Sequence, residues 1–373
     1  MLICMTETNT LEKIKLAGPL FVAIGAIMWS TDFYFRPILA SAFGPTIFDV
    51  LTIVLFEHIV AIIALILFLY VYFNKRSETS FKYELGKLKN LSWLEKYAGI
   101  HIGIASALGN IFFTLAILEA IGPNFTAGFD QLLFVQKIQP LFAILLAYFL
   151  LKERLSWKFY IVLIPITLFG LFLVNFGVGS ITLNPFSFNI ALLWQIDLSS
   201  PSVIITIYGL LAAFLWGTGT VFGRVLVTKV DYQITTLVRY IVALTILVIA
   251  NVIFFPQFIA SVANGFSGDM PQIIAGFIFI GIVPGVASLY VYYYGLRNSK
   301  ASYATIAELA YPVSGVLINA VFNGANMYPM QWLGGIIIIV AITLFTLNSL
   351  SQNMEQLEVG DPSSKVITES IPS

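Results

Sequence analysis

Ten stretches of about 20 largely apolar residues run through this chain, each long enough to cross the hydrocarbon core of a bilayer as a helix. They cover 17–40, 50–73, 98–118, 127–151, 157–176, 203–224, 234–255, 271–296, 303–322 and 331–350. None alternates apolar and polar residues as a strand series would, which argues against a membrane β-barrel. Of the 373 residues, 59% are apolar and only 10% charged. A soluble fold of this size carries roughly 25% charged residues. The expected fold class is therefore an all-α polytopic membrane protein with ten transmembrane helices. The first stretch reads as an uncleaved span, because it is too long for a signal-peptide core and lacks a small-residue cleavage site.

The remaining composition narrows the chemistry. A formal net charge of zero and high hydropathy exclude nucleic-acid binding and disorder as the main reading. One cysteine, Cys4, rules out a disulfide framework and a cysteine-based zinc site, and two histidines, His58 and His101, leave little for a histidine-based metal site. No phosphate-binding loop, nucleophile elbow or zinc-helix motif is present. No catalytic residue, metal or cofactor is expected, and an energy source other than ATP is implied: an ion gradient, exchange, or the substrate's own gradient.

Basic residues orient the chain. With the N-terminus inside, 16 of the 19 Lys and Arg residues fall on inner segments, from Lys13 and Lys15 to Arg297, Lys300 and Lys365. The exceptions, Arg36, Lys137 and Arg239, lie within spans, and the outer loops hold none. This bias places both termini in the cytoplasm, with the cell membrane as the expected location. Residues 1–16 form a polar cytoplasmic arm, 177–202 a long and fairly apolar outer loop, and 351–373 a polar, disordered tail.

The spans divide into halves. Ala26-Ile27-Met28-Trp29-Ser30-Thr31 resembles Ala213-Phe214-Leu215-Trp216-Gly217-Thr218; Glu57-His58-Ile59-Val60-Ala61 resembles Arg239-Tyr240-Ile241-Val242-Ala243; and Gln136-Lys137-Ile138-Gln139-Pro140 aligns on its proline with Glu308-Leu309-Ala310-Tyr311-Pro312. The three matches come in the same order. Since five spans is an odd number, a duplicated half enters the membrane from the other side, and the charge pattern agrees. The loop after span 2 is rich in Lys and Arg, whereas its counterpart after span 7 (PQFIASVANGFSGDM) has neither. The organisation expected is two inverted five-helix repeats, 17–176 and 203–350.

These motifs resemble the EamA family of the drug/metabolite transporter superfamily. The resemblance covers roughly 17–350. It rests on the Ala-x-x-Trp-Ser/Gly-Thr passages of spans 1 and 6, on Pro140 followed by an apolar run and Lys152-Glu153-Arg154-Leu155, and on the second-half counterpart from Pro312 to Gln331-Trp332-Leu333-Gly334. The chain departs from the pattern at Glu57, where the family often has arginine, and at Ala325, which has no acid to match Glu153. The resemblance implies alternating access around a central cavity walled partly by spans 4 and 9, and transport of a small metabolite.

Ionisable groups inside a span are costly and usually face an interior or cavity. Glu308 leads the candidates for substrate or proton binding. Pro312 frees its backbone carbonyl, so carboxyl and carbonyl share one depth. Lys137 could hold a substrate carboxylate or phosphate, or pair with an acid such as Asp32 or Glu57. Gln136 stands before Pro140 as Glu308 does before Pro312, which makes Pro140 and Pro312 the expected helix breaks. Asp32, Trp29, Trp216 and Tyr311 complete the binding candidates. Trp29, Asp32 and Arg36 share a helix face, and an Asp32–Arg36 pair would form an outer gate unless Arg36 snorkels to the interface. Glu57 and Arg239, opposite charges at repeat-equivalent positions, read as a structural pair across the bundle, and Asp130 shares a face with Lys137.

The expected function is a secondary transporter moving a small metabolite, for example an amino acid or related compound, with protons as a candidate coupling ion. Two alternatives stand beside it: a sugar-phosphate or nucleotide-sugar exchanger, and an intramembrane enzyme acting on lipid-linked substrates.

Overall fold

A computed structural model of the chain describes residues 18–75, 81–121, 128–152, 199–299 and 310–324, with shorter pieces between 161 and 173 and between 301 and 344. The described residues are almost entirely helical. In chain order the helices are α1 (18–30), α2 (Asp32–Phe43), α3 (Ile47–Lys75), α4 (Phe81–Lys87), α5 (Trp93–Ala120), α6 (Gly128–Gln136), α7 (Gln139–Leu150), α8 (Pro201–Val227), α9 (Tyr232–Ile253), α10 (Phe255–Gly265), α11 (Met270–Ile280), α12 (Ser288–Arg297) and α13 (Ala310–Phe322).

Among the described residues, six segments are long and apolar enough to cross a membrane: Ile47–Asn74, Trp93–Ala120, Gln131–Leu150, Pro201–Val227, Tyr232–Ile253 and Met270–Arg297. Two shorter apolar helices, Ala310–Phe322 and Trp332–Ala341, fall within the ninth and tenth expected spans. The first expected span is divided at Thr31 into α1 and α2. Most of the fifth, the arm 1–16, most of the loop 177–202 and the tail lie outside the described residues. Large apolar side chains cover the outer faces, such as Leu67, Val252 and Leu317, each more than 60% exposed. In an integral membrane protein these meet lipid tails.

The helices begin and break where side chains supply the missing backbone partners. Ser92 and Glu95 form a capping box at the start of α5, Glu95 N donating to Ser92 Oγ and Ser92 N to Glu95 Oε2. Pro37 inside α2 cannot donate to the Phe33 carbonyl four residues back. That carbonyl instead accepts from Asn323 Nδ2 at 2.9 Å, which ties α2 to the end of α13. Pro284 lies inside a π-helical turn, Gly281–Ala287, that joins α11 to α12. Such wide turns relieve a proline's clash and often sit at functional positions.

The segment after α9, expected as a plain loop, contains the helix α10. Its Ser261 donates to Asp49 Oδ1 at 2.6 Å, and Asn264 donates to the Phe43 carbonyl at 2.5 Å. Polar residues that looked like loop signals therefore serve as docking points for the end of α2 and the start of α3.

The long helices pack closely, with α5 running along α8 and α9, and α8 also against α6 and α7. Glycine sets the closest approach. A Cβ at Gly217 would lie 2.6 Å from the backbone oxygen of Gln139, and one at Gly109 would lie 2.3 Å from Trp216 Nε1. The first lets α8 touch α7 at its opening turn, and the second makes room for an indole on the cavity wall.

Candidate functional site

The breaks converge on one cavity. Its wall draws on α1 and α2 (Trp29, Asp32, Arg36), α3 (Glu57, His58), α5 (Ser106, Asn110, Phe113), the α6–α7 break (Gln136, Lys137, Gln139), α8 (Trp216, Thr220), α9 (Arg239, Tyr240), the π turn and α12 (Tyr292), the turn before α13 (Glu308) and the first turn of α13 (Tyr311). The space between these atoms is about 1020 Å³, counting the part open to solvent.

Arg36, 2% exposed, anchors one cluster. Its Nε donates to Asp32 Oδ2 at 2.7 Å, Nη1 to Thr114 Oγ1 at 2.7 Å and Nη2 to Glu57 Oε2 at 3.1 Å. Nη1 also lies 2.9 Å from Glu57 Oε1, without hydrogen-bond alignment. A planar guanidinium can serve three partners in this way where an ammonium could not. Thr114 passes its own proton to the Asn110 carbonyl at 2.8 Å. Two carboxylates thus share one cation, and Asp32 Oδ1 has no hydrogen-bond partner.

Glu308 anchors the second cluster. Its Oε2 accepts from Gln139 Nε2 at 2.5 Å, and its Oε1 accepts from Tyr292 OH at 2.9 Å and, more weakly, from Thr220 Oγ1 at 3.5 Å. Its backbone carbonyl, deprived of the Pro312 donor, accepts from Tyr311 N at 3.0 Å and from Lys137 Nζ at 3.4 Å. The Lys137 ammonium sits 4.1 Å from the centre of the Tyr311 ring, a cation–π contact. Among the described residues, no carboxylate lies within ion-pairing distance of Lys137; neither Asp32 nor Glu57 takes it.

The expected Glu57–Arg239 pair is absent, because Arg36 holds Glu57. Arg239 Nη1 instead donates to Tyr293 OH at 3.2 Å, and its Nε has no partner. His58 Nδ1 lies 2.8 Å from the Val54 carbonyl and Nε2 3.4 Å from Ser106 Oγ, so its ring is held within the helix pair α3–α5. Trp29 packs at 4.7 Å on Tyr292, and Trp216 at 5.6 Å on Phe113. Gln136 is 1% exposed, and both its amide atoms lack partners. The helix breaks at Lys137 and Ile138, just past Gln136. Asp130 is on α6, but its side chain lies outside the described residues. Among the described residues, no group of His, Cys, Asp and Glu could hold a metal ion.

Sequence reasoning missed Thr114 and Thr220. A threonine in an apolar helix can always return its hydroxyl to its own backbone, as Thr220 also does to the Trp216 carbonyl at 3.1 Å, so nothing in the sequence marks it. Pro284, in the middle of span 8, was a legible sign of a break.

The comparisons with known proteins agree with this architecture. The chain is 30% identical over 332 residues to the riboflavin transporter ImpX of Fusobacterium nucleatum subsp. nucleatum, covering 87% of this chain and 96% of the relative. A solved structure described only as "Crystal structure of protein" shares the fold at 16% identity, with a TM-score of 0.53 over 89% of this chain and 98% of the other. Residues 203–347 match the family described as the EamA-like transporter family. Similarity along nearly the whole length of one relative and a family match to the second half lead to one assignment: the chain belongs to the EamA-like transporter family.

Proposed function

We propose that this protein is a secondary transporter that carries riboflavin, or a closely related flat heterocycle with a polar side chain, through the central cavity. The observation that carries this reading is the cavity itself: it sets charged and amide groups among aromatic side chains, and it lies in a chain similar along most of its length to a riboflavin transporter. A ring system needs apolar faces, which Trp29, Trp216, Phe113 and Tyr292 supply, and hydroxyl or carbonyl groups need the charged and amide residues between them.

Alternating access between two inverted repeats is the proposed mechanism. It is supported by one fact about the wall. All three repeat-related pairs, Trp29 with Trp216, Glu57 with Arg239 and Gln136 with Glu308, line the same cavity. Exchange of roles between such pairs would carry the opening from one membrane face to the other. The basic-residue bias supports cytoplasmic termini and a cell-membrane location. Glu308 is the proposed proton-responsive group and Lys137 a contact for substrate oxygen atoms.

A second reading, a phosphorylated substrate, draws on Lys137 and Arg239, neither of which meets a carboxylate within ion-pairing distance among the described residues. Uptake of labelled riboflavin into proteoliposomes, competed with riboflavin 5′-phosphate, tests both. Saturable uptake outcompeted by riboflavin is expected. Stronger competition by the phosphate ester would favour the second reading, and no uptake or binding by folded protein would overturn the first. Ligand at 100 times its dissociation constant should stabilise the protein by about 2.7 kcal/mol, which gives an independent thermal readout.

A further inference from the structure

The amide of Gln136 stands apart on the cavity wall. It is 1% exposed, and neither its Nε2 nor its Oε1 has a hydrogen-bond partner. Five residues earlier on the same helix, Gln131 shows how this chain satisfies a buried amide with a structural role. Its Nε2 donates to Ser202 O, Ser202 Oγ and Thr206 Oγ1 at 2.9, 2.9 and 3.0 Å. Gln139, three residues later, is engaged by Glu308. Gln136, between them, ends α6 where the backbone breaks, beside Lys137, and lines the same cavity as Trp29, Phe113, Trp216 and Tyr292.

A buried polar group without a partner is destabilising and rare in folded proteins. A primary amide offers a donor and an acceptor side by side. Its complement is another –CO–NH– edge, which it meets with two antiparallel hydrogen bonds, and on a flat molecule that edge belongs to a cyclic amide or imide. Because glutamine is uncharged, it can bind such an edge without either partner ionising.

We infer that Gln136 is the specificity-determining residue for the –CO–NH– edge of a planar heterocycle bound between the aromatic residues of the cavity. This deepens the proposed function and rests on it in one respect: the pyrimidine end of the flavin ring carries such an imide edge. The Gln136 amide reads that edge, while the aromatic rings hold the faces of the ring.

The test uses two matched pairs on the purified protein: riboflavin and 3-methylriboflavin, and lumiflavin and 3-methyllumiflavin, which keep the isoalloxazine ring and carry a methyl group in place of the side chain. Binding is followed by ring fluorescence. The wild type is expected to bind each N–H form about tenfold or more tighter than its N-methyl form, since one buried group is otherwise left unpaired. Q136L, similar in size and without polar atoms, should bring both ratios near one by weakening the N–H forms only. Its ligand-free melting temperature should stay at or above that of the wild type.

Retention of the preference in Q136L, an equal loss for both members of a pair, or a lowered ligand-free melting temperature with unchanged ratios would each overturn the inference and make Gln136 structural. Equal wild-type binding of riboflavin and 3-methylriboflavin would overturn it while leaving flavin transport standing. Discrimination through Gln136 within the lumiflavin pair, with riboflavin silent, would uphold it and remove riboflavin as the substrate. If the wild type binds none of the four, both readings fall.

Discussion

Gln139 Nε2 donates to Glu308 Oε2 across 2.5 Å, joining two residues 169 positions apart. Gln139 opens α7 just past one helix break, and Glu308 occupies the turn before α13. Each break leaves backbone and side chain free to face the cavity, and the bond holds the two breaks together. Whatever changes the charge on Glu308 acts on both at once.

Replacing Glu308 therefore separates its roles. E308A leaves the Gln139 amide without its acceptor and the Tyr292 hydroxyl with Thr220 Oγ1 alone, at 2.9 Å. It should lower stability by about 2 kcal/mol, read as a fall in melting temperature. E308Q keeps an acceptor for Tyr292 and, with the Gln139 amide reversed, a bond between the two side chains. It should cost less than about 1 kcal/mol. Transport by E308Q should lose the pH dependence of the wild type, because no proton can be exchanged there. Uptake measured across a pH series in both proteins decides this, and an unchanged profile in E308Q would reduce Glu308 to a structural acceptor.

Arg36 is predicted to be the most costly charge to remove. R36M leaves Asp32 and Glu57 buried near one another with no cation between them. Breaking a buried pair from one side costs about 3–5 kcal/mol. The double variant R36M/E57Q should recover a large part of that loss, since one of the stranded charges is gone. R36K should recover little, because an ammonium cannot reach Asp32, Thr114 and Glu57 in the fork geometry. Thermal unfolding of the three variants checks the order, and a loss below about 1 kcal/mol for R36M would show that Arg36 is not what holds the two buried carboxylates in place.

The contrast between these two clusters explains how far the sequence could be read. Membrane residence followed from long apolar stretches, because hydropathy acts locally; the turns at 137–138 and at 308 stand shortly before Pro140 and Pro312. The Asp32–Arg36 contact follows from a four-residue spacing on one helix. Which distant partner a charge takes does not follow, since it depends on how helices are rotated and packed. Glu57 therefore looked like a partner for Arg239 through the repeat, whereas α2 brings Arg36 to it first. Thr114 and Thr220 give no sign in the sequence of their parts in the two clusters.

Packing at the α7–α8 contact predicts a variant that reaches the site without touching a charge. A Cβ at Gly217 would sit 2.6 Å from the Gln139 carbonyl oxygen and 3.1 Å from Phe142 Cβ. A backbone oxygen in a helix cannot move aside alone, so G217A must push α7 away from α8. The expected loss is about 1–3 kcal/mol, together with reduced transport as Gln139 shifts from Glu308. Gly86, where an added Cβ meets nothing within 4 Å, is the control. G86A should be neutral or slightly stabilising, since alanine is the better helix former.

Lys137 should behave in the opposite way to Arg36, although both are buried cations. No carboxylate among the described residues lies within ion-pairing distance of Lys137, and its ammonium rests on the Tyr311 ring and on a backbone carbonyl. K137M breaks no contacting ion pair and removes the cost of burying an ammonium, while Glu308 loses a cation that acts on it at longer range. Its stability should match or exceed that of the wild type, while affinity for the transported molecule falls about tenfold or more. Y311L removes the ring beneath the charge and should lower stability by about 1–2 kcal/mol. The double variant should lose less than the sum of its parts, because the ring's cation is no longer there to strand. Melting temperatures of the four proteins give the coupling. A large loss of stability in K137M alone, on the scale expected for R36M, would mean that Lys137 serves the fold and would remove it from the proposed binding site.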